Sequence, residues 1–523
     1  MLKRAGSSVT ALAAALTVVA ATSVACTNAG GAAGTAEPTL TIGSSVAPPS
    51  LDPTASAAAS ITEPLDYNIY QHLVQVNPKG DIVPVLATGY TLSPDRKTYT
   101  FTIRPNVKFS NGNPLTADVV VFNFKRVMAP NSTYPNKRAM GTLTAVTKLS
   151  ESQVSVSLAQ PDAEWLYQLA AYSNGVILDP TAVGQISTTP VGTGPYAFSS
   201  FKPNYSLTFT RNTHYWGAAP GPKSVVFRYF SAPSAAVSAL RSGQIDVIDN
   251  LTNSNPIDAN QFKNDPGFKV IAGLSTGKVQ LSLNNANPQL GNVLVRRAIS
   301  HALDKKAILQ IGGNGYGEII GSNTVPGDPW YDPALAGAYD YDPAEAKQLL
   351  TQAGYPHGFD MSLTLPAYGY AQTLGPLIAS QLKAVGINAT INTVSWPLWL
   401  SKVFSGHGFD ATIVNQALAH DLNNYANPKY YWGYPDADQV GRMLAEAKAA
   451  PTQPEQISLY RQVLNKLTSD AVNVWLYDPA QITVARKNIV GLPGSGLAAS
   501  FDLSNVSFGG PLSDDARAQG FSD

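Results

Sequence analysis

Alternation of apolar and polar residues with a period of two marks several half-buried strands. In "KTYTFTIR", Tyr99, Phe101 and Ile103 share one face while Thr98, Thr100, Thr102 and Arg104 share the other. "SQVSVSL" repeats the pattern with Val154, Val156 and Leu158, and "SLTFT", "KVQLSL" and "INATI" read as further short strands. The helical period has equally clear ends. "DPAEAKQLLTQAG" offers Asp342 as N-cap, Pro343 at the first helical position and Glu345 two residues on. Ala346, Leu349, Leu350 and Ala353 form its apolar stripe, and Gly354 is its stop. "LGPLIASQLKAVG" ends in the same way at Gly386 and runs into "INATI". These helices flank the strand-like "FDMSLTL", so residues 342–393 carry an α/β pattern.

Local chemistry predicts further details. Thr116 is placed to cap a helix with Asp118 in its first turn, and Gly112 with Asn113 makes a turn. The glycines of "GTGPY", from Gly192, are expected to supply backbone angles that other residues resist. Arg296, Arg297, Asp304 and Lys305 read as a solvated charged face. No repeat of 20 to 50 residues is visible.

The first residues have a different character. Lys3 and Arg4 precede an uncharged run to Ala36 whose apolar part spans Val9 to Ala25, the layout of a bacterial export signal. Small residues and a Gly/Ala stretch follow instead of a basic flank, which disfavours a permanent span. Cys26, the sole cysteine, sits where the cut falls, so no internal disulfide is possible. "SVAC" resembles the lipobox of bacterial lipoproteins, although Ser23 stands where they usually carry an aliphatic residue. The resemblance implies lipidation of Cys26; ordinary cleavage after Ala25 is the alternative. "TNAGGAAGTAEP", from Thr27, is too small and flexible to pack and reads as a tether.

About 485 residues remain after the tether, more than one ordinary core, so two or three domains are expected. Lys plus Arg and Asp plus Glu number 35 each, and charged residues make only 13 % of the chain. That balance leaves no electrostatic footprint for nucleic acid. Aromatic residues make 9 %, and with abundant Ser, Thr and Asn they suit a surface for neutral or mixed-polarity solutes. Signatures of catalysis are near misses. "GLSTGKV", from Gly273, is one residue short of a phosphate-binding loop and places Val279 where a magnesium-binding hydroxyl belongs. The six histidines have no ligand spacing, so neither a metal site nor a cofactor is expected, and no catalytic residue is assigned. A carboxylate pair for glycoside cleavage stays open, since such pairs assemble only in the fold.

The stretch from Pro84 to Phe124 is similar to the signature of the extracellular solute-binding proteins of family 5, the dipeptide, oligopeptide and nickel receptors of ABC importers. Pro84, Leu86, Ala87, Ser93, Asp95, Tyr99, Phe101 and Arg104 match, as do Val107, Lys108, Phe109, Gly112 and Thr116 to Val120. Further landmarks follow in order: "LDP" at Leu51, "GTGPY" at Gly192, "RNTHYWG" at Arg211, "LRSGQIDV" at Leu240 and "VRRAISHALDKKAI" at Val295. The resemblance implies an α/β, two-lobed periplasmic-binding-protein-like fold of type II, enlarged by an extra domain, with the ligand cleft between the lobes. Residues 1–25 would be the signal peptide and 26–37 the lipidated N-terminus and tether. Residues 38–58, 186–273 and 480–523 would form the first lobe, 59–185 the extra domain attached to it, and 274–479 the second lobe.

The implied function is an extracytoplasmic receptor, a monomer without enzymatic activity. It would capture a peptide or peptide-like solute by hinge closure and hand it to an ABC permease. It would be exported and held by lipid at the outer face of the cytoplasmic membrane. A secreted hydrolase, or a sensor or adhesion lipoprotein of the same fold, are the alternatives. In peptide-binding relatives an aspartate in a segment resembling W-x-x-D-Y-x-D-P meets the peptide ammonium. Here "HDLNNYANPKYYW" keeps that frame with Asn424, Tyr425, Asn427 and Pro428, but both acidic positions are amides, and Asp421 stands nearby as a substitute. The candidate ligand-binding residues are therefore Asn424, Tyr425, Asp421, Asn427 and Trp432, with Trp396 and Trp399 of "SWPLWL"; core packing is the other reading of the aromatic ones. Cys26→Ser is expected to move the protein from the membrane to the soluble fraction, and unchanged membrane retention would exclude lipidation at that residue.

Overall fold

A computed structural model describes residues 38–523 except 57, 133, 136, 250–256 and 499. The expectations for the signal, Cys26 and the tether lie outside the described residues. Three sheets organise the rest. The first has seven strands in the order Phe268–Gly273, Gln481–Arg486, Val247–Ile248, Thr39–Ser44, Ser224–Tyr229, Ser206–Arg211 and Tyr196–Lys202. Thr39–Ser44 is parallel to both of its neighbours, and the outer strands are antiparallel. The second has six: Gly317–Ile319, Asn473–Pro479, Lys278–Leu283, Ala411–Gln416, Phe359–Pro366 and Ile387–Val394. The third, a four-stranded antiparallel sheet, runs Ala87–Leu92, Thr98–Ile103, Gln153–Leu158 and Leu143–Ser150.

Each sheet carries its own core, as layered α/β packing requires. On the third sheet, Tyr99, Phe101, Ile103, Val154, Val156 and Leu158 turn inward against helices Ala117–Met128 and Trp165–Ala171. Ile61, Leu65, Ile69 and Tyr70, which lead into this region, instead pack with the strands of the first sheet. In the second lobe, helix Pro343–Gln352 begins where Asp342 accepts from the Ala344 and Glu345 amides, and Ala346, Leu349 and Leu350 are buried. Helix Gly369–Ala384 starts five residues before the predicted stretch and carries Pro376 within it. Thr116 caps its helix by accepting from Val119 N.

Two local expectations are corrected. Arg296 is 3 % exposed and belongs to no solvated face: its guanidinium donates to the carbonyls of Leu290, Gly291, Asp470 and Ala471 at 2.7–3.1 Å. A planar fork of donors can satisfy several converging backbone carbonyls at once. Lys305 is also buried, with Nζ donating to Ile320 O at 3.1 Å. The "GTGPY" glycines serve close approach, since a Cβ at Gly192 would overlap the Ile69 carbonyl oxygen and one at Gly194 the Asn68 carbonyl.

The two lobes are joined where two neighbouring strands leave one sheet and enter the other. Phe268–Gly273 pairs with Gln481–Arg486 in the first sheet, Gly273 opposite Gln481; their continuations Lys278–Leu283 and Asn473–Pro479 pair in the second, Val279 opposite Tyr477. The crossings are residues 274–277 and Ala480. Ser275 ties them, its Oγ donating to Asp478 Oδ1 at 2.7 Å. Burial holds the Asp478 carboxyl up to about 7, against the opposing hydrogen bonds from Ser275. Arg296→Ala leaves these buried carbonyls without donors and is expected to cost about 3 kcal/mol, read as a lower urea midpoint; an unchanged midpoint would contradict the role given to the guanidinium.

Candidate functional site

A cavity of about 290 Å³ lies beside the two crossings. Its floor is Ser275–Gly277, Pro479 and Gln481, so the hinge residues themselves form part of the wall. The near-miss phosphate loop "GLSTGKV" is this hinge. Lys278 is buried behind the wall: its Nζ donates to the carbonyls of the lining residues Leu418, at 2.7 Å, and Thr276, at 3.1 Å, and lies 3.3 Å from Asp421 Oδ1.

One wall comes from helix Ala59–Leu65 with Thr62 and Glu63, and from Asp249 at the end of a central strand. Helix Trp165–Ala171 and the residues after it add Tyr167, Tyr172 and Ser173. The opposite wall is Asn415 and Ala417–Ala419, which follow the second-sheet strand Ala411–Gln416. The C-terminal segment closes a third side with Leu497, Ser500 and Phe501. Aromatic rings and small polar groups thus face a space drawn from both lobes, the general form of a small-solute site. Its ionisable lining groups are acidic. Asp249 accepts from Ser44 Oγ at 2.5 Å; burial, and next the Glu63 charge, hold its carboxyl up to about 8. Lys, Arg and His are missing from the lining among the described residues.

At the rim, the wall of the third-sheet region meets the second lobe. Tyr172 Oη donates to Ala419 O at 2.9 Å, and Ala163 N to Lys448 O at 3.2 Å. Between them Glu164 reaches His420, Oε2 to Nδ1 at 2.6 Å, while Asp328 Oδ1 stands 3.4 Å from Nε2.

None of the seven residues proposed from sequence lines the cavity. Tyr425, Trp432 and Trp399 are buried in the aromatic core of the second lobe. Tyr425 stacks on Trp432 at 4.4 Å and its hydroxyl meets Asn323 and Asn473. Trp399 donates from Nε1 to Thr412 Oγ1 at 2.9 Å and stacks on the half-buried Trp396 at 4.7 Å. Asn427 is exposed, and Asn424 donates to Asp421 Oδ2 at 3.3 Å. Asp421 itself is 8 % exposed, accepts from Asn323 at 2.6 Å and neighbours Lys278, so its charge is spent within its own lobe. The frame therefore holds together Asp421, Asn424, Tyr425 and Trp432, as one packed unit behind the cavity wall. Sequence reasoning passed over Glu63, Asp249 and Tyr167, which stand in no motif, and His420, which opens the segment "HDLNNYANPKYYW" but was taken only as one of the scattered histidines. Asp249 lies two residues beyond the "LRSGQIDV" landmark, the nearest thing to a signal.

A two-lobed α/β body with a solute-sized cavity against a double strand crossing defines a substrate-binding protein of the type II periplasmic class. The chain belongs to the bacterial extracellular solute-binding proteins, family 5, whose model matches residues 81–439. The nickel-binding periplasmic protein of Escherichia coli K12 is 24 % identical over 84 % of this chain and 89 % of its own length. Di/tripeptide-binding protein 2 of Pseudomonas aeruginosa is 25 % identical over 90 % and 94 %. In fold the chain is similar to the ABC transporter-associated periplasmic binding protein DppA of Helicobacter pylori, solved in complex with the peptide STSA. That match has a TM-score of 0.75 at 24 % identity and covers 90 % of this chain and 98 % of that one. Among the described residues no helix is long and apolar enough to cross a membrane.

Asp421→Ala strands Lys278 in the core and is expected to cost about 3 kcal/mol of stability, while Asp421→Leu with Lys278→Met recovers most of it. Thermal denaturation of the two variants beside the parent protein checks this; equal loss in the single and double variants would show that the pair is not the reason.

Proposed function

We propose that this protein captures a peptide or peptide-like solute with a cationic end in the cavity between its lobes and delivers it to an ABC permease without altering it. The single observation that carries the reading is the placement of the cavity. It is walled by both lobes and floored by the two crossings, so rotation about residues 274–277 and 480 opens or closes it. The proposed moving bodies are residues 38–273 with 480–523, and 274–479; the membership of the strands in the two large sheets supports that division. A solute that touches both walls only in the closed form shifts the population toward closure.

The lining favours an ammonium over an anion. Glu63 and Asp249 stand on the first-lobe wall with no lining base among the described residues. An ammonium arriving there displaces the proton that burial keeps on Asp249 and restores the favoured interaction of opposite charges. Asn415, Gln481 and Ser500 offer hydrogen bonds for a peptide backbone, and Tyr167, Tyr172 and Phe501 offer flat apolar surface. A monomer acting outside the cytoplasm, held to the membrane through lipid on Cys26, completes the proposal; the layout of the first residues supports it.

Thermal shift against a panel of di- to tetrapeptides tests the reading. A bound peptide at a hundredfold excess over Kd adds about 2.7 kcal/mol to the unfolding free energy, and mass spectrometry of the mixture should return it intact. No stabilisation by any member, or recovery of cleaved peptide, would overturn the proposal. Glu63→Gln combined with Asp249→Asn is expected to weaken free-amine peptides about tenfold or more and N-acetylated peptides little; equal loss for both would refute the ammonium contact.

A further inference from the structure

His420 is surrounded in a way that neither its own lobe nor the cavity explains. Its side chain is 6 % exposed, and those of Glu164 and Asp328 are 9 % and 8 % exposed. Nδ1 meets Glu164 Oε2 at 2.6 Å, and Nε2 faces Asp328 Oδ1 at 3.4 Å. Tyr167 stacks on the imidazole with 3.7 Å between centroids, and Trp330 packs at 4.5 Å. The other Glu164 oxygen accepts from Gln456 at 3.3 Å, and Asp328 accepts from Thr324 Oγ1 and Val325 N at 2.9 and 3.0 Å. Asp162, Tyr99, Tyr172, Tyr460, Lys278, Asp421 and Asp478 are the other charged or titratable groups around this cluster.

The partners settle the charge. A neutral imidazole has one donor and one acceptor, and two carboxylates offer only acceptors, so both contacts are satisfied by the imidazolium alone. Burial by itself lowers the basicity of His420; the Glu164 charge, followed by the bonds to Asp328 and Glu164, outweighs it and holds the group up to about 9. The members come from different bodies. Glu164 leads into helix Trp165–Ala171, whose Trp165, Leu166 and Leu169 lie in the third-sheet core, whereas Asp328 and His420 belong to the second lobe. Tyr167 and Ala419, beside the cluster, are cavity wall.

We propose that His420 is a proton-dependent latch across the cleft mouth: closure brings Glu164 onto an imidazolium that Asp328 already holds, so the closed receptor keeps a proton that the open one releases more readily. This rests on reading the cleft as a hinged ligand site. The sign follows from linkage. Because closure raises the basicity of His420, the latch is fully formed below about pH 6.5, the ordinary histidine value, and is lost as pH rises through about 9. Over that interval the closed-to-open ratio falls by at most roughly 300-fold; Asp328, which travels with His420, makes the actual fall smaller. Solute would be held more firmly at mildly acidic pH and released more easily in alkali.

The test uses the full chain without ligand. Ala145→Cys and Ala384→Cys, at exposed positions on the third sheet and in the second lobe, carry spin labels in a Cys26→Ser background. The inter-label distance is measured at pH 6 and pH 9.5. The wild-type residues at 164 and 420 should give a longer distance at the higher pH. Glu164→Gln, which keeps the shape, and His420→Gln should show the longer population already at pH 6 with little pH response. The imidazole NMR signal missing in His420→Gln should titrate well above pH 7.5. An identical distance at both pH values, a full pH response in Glu164→Gln, or titration near 6.5 would overturn the latch. Peptide binding that persists in any of those cases sinks the latch and leaves the receptor; absence of any peptide ligand sinks the receptor while the distances still decide the latch.

Discussion

Everything in this molecule depends on a two-strand bridge. Two hydrogen-bonded strands run out of one sheet, cross a gap of four residues on one side and one on the other, and resume pairing in the second sheet. A paired ribbon resists shear and separation, because each would break ladder bonds, but it bends where the pairing lapses. The bridge thereby permits one kind of relative motion and forbids most others. It also places the floor of the cavity at the pivot, where rotation disturbs the contacts least, and leaves the walls to the lobes, where rotation disturbs them most.

Charge is distributed to match. In the second lobe, the buried Arg296 and Lys278 are matched inside that lobe, Arg296 to four carbonyls and Lys278 to Asp421 and two carbonyls. Such groups specify packing and are costly to disturb. At the boundary the arrangement changes. Asp249 and Glu63 repel each other on one wall, and His420 takes a carboxylate from each side of the cleft. On the proposed reading, the contact between His420 and Glu164, which spans two bodies, makes closure sensitive to pH.

In the aromatic segment after His420 the family spacing is kept while the aromatic side chains pack among themselves. Asn424, Tyr425, Asn427 and Pro428 keep the spacing of a ligand-binding segment, yet Tyr425 and Trp432 stack on one another in the core and Asp421 is engaged by Lys278. Spacing reports that the backbone follows the same path. It does not report which side chains that path turns toward the cleft.

Much of the fold was legible along the chain. The alternation of Tyr99, Phe101 and Ile103, the cap at Asp342 and the cap at Thr116 act over a few residues, and local sterics and hydrogen bonding decide them whatever surrounds them. The two-lobed α/β class and the family also came from local patterns repeated in order. What only the tertiary structure decided was the environment of each ionisable group. Arg296 in a run of charges looks like surface until four carbonyls close on it, and His420 looks like any scattered histidine until Glu164, 256 residues away, arrives at its ring. Burial and Coulomb interactions depend on distance in space and on exclusion of water, and neither is a function of position in the sequence.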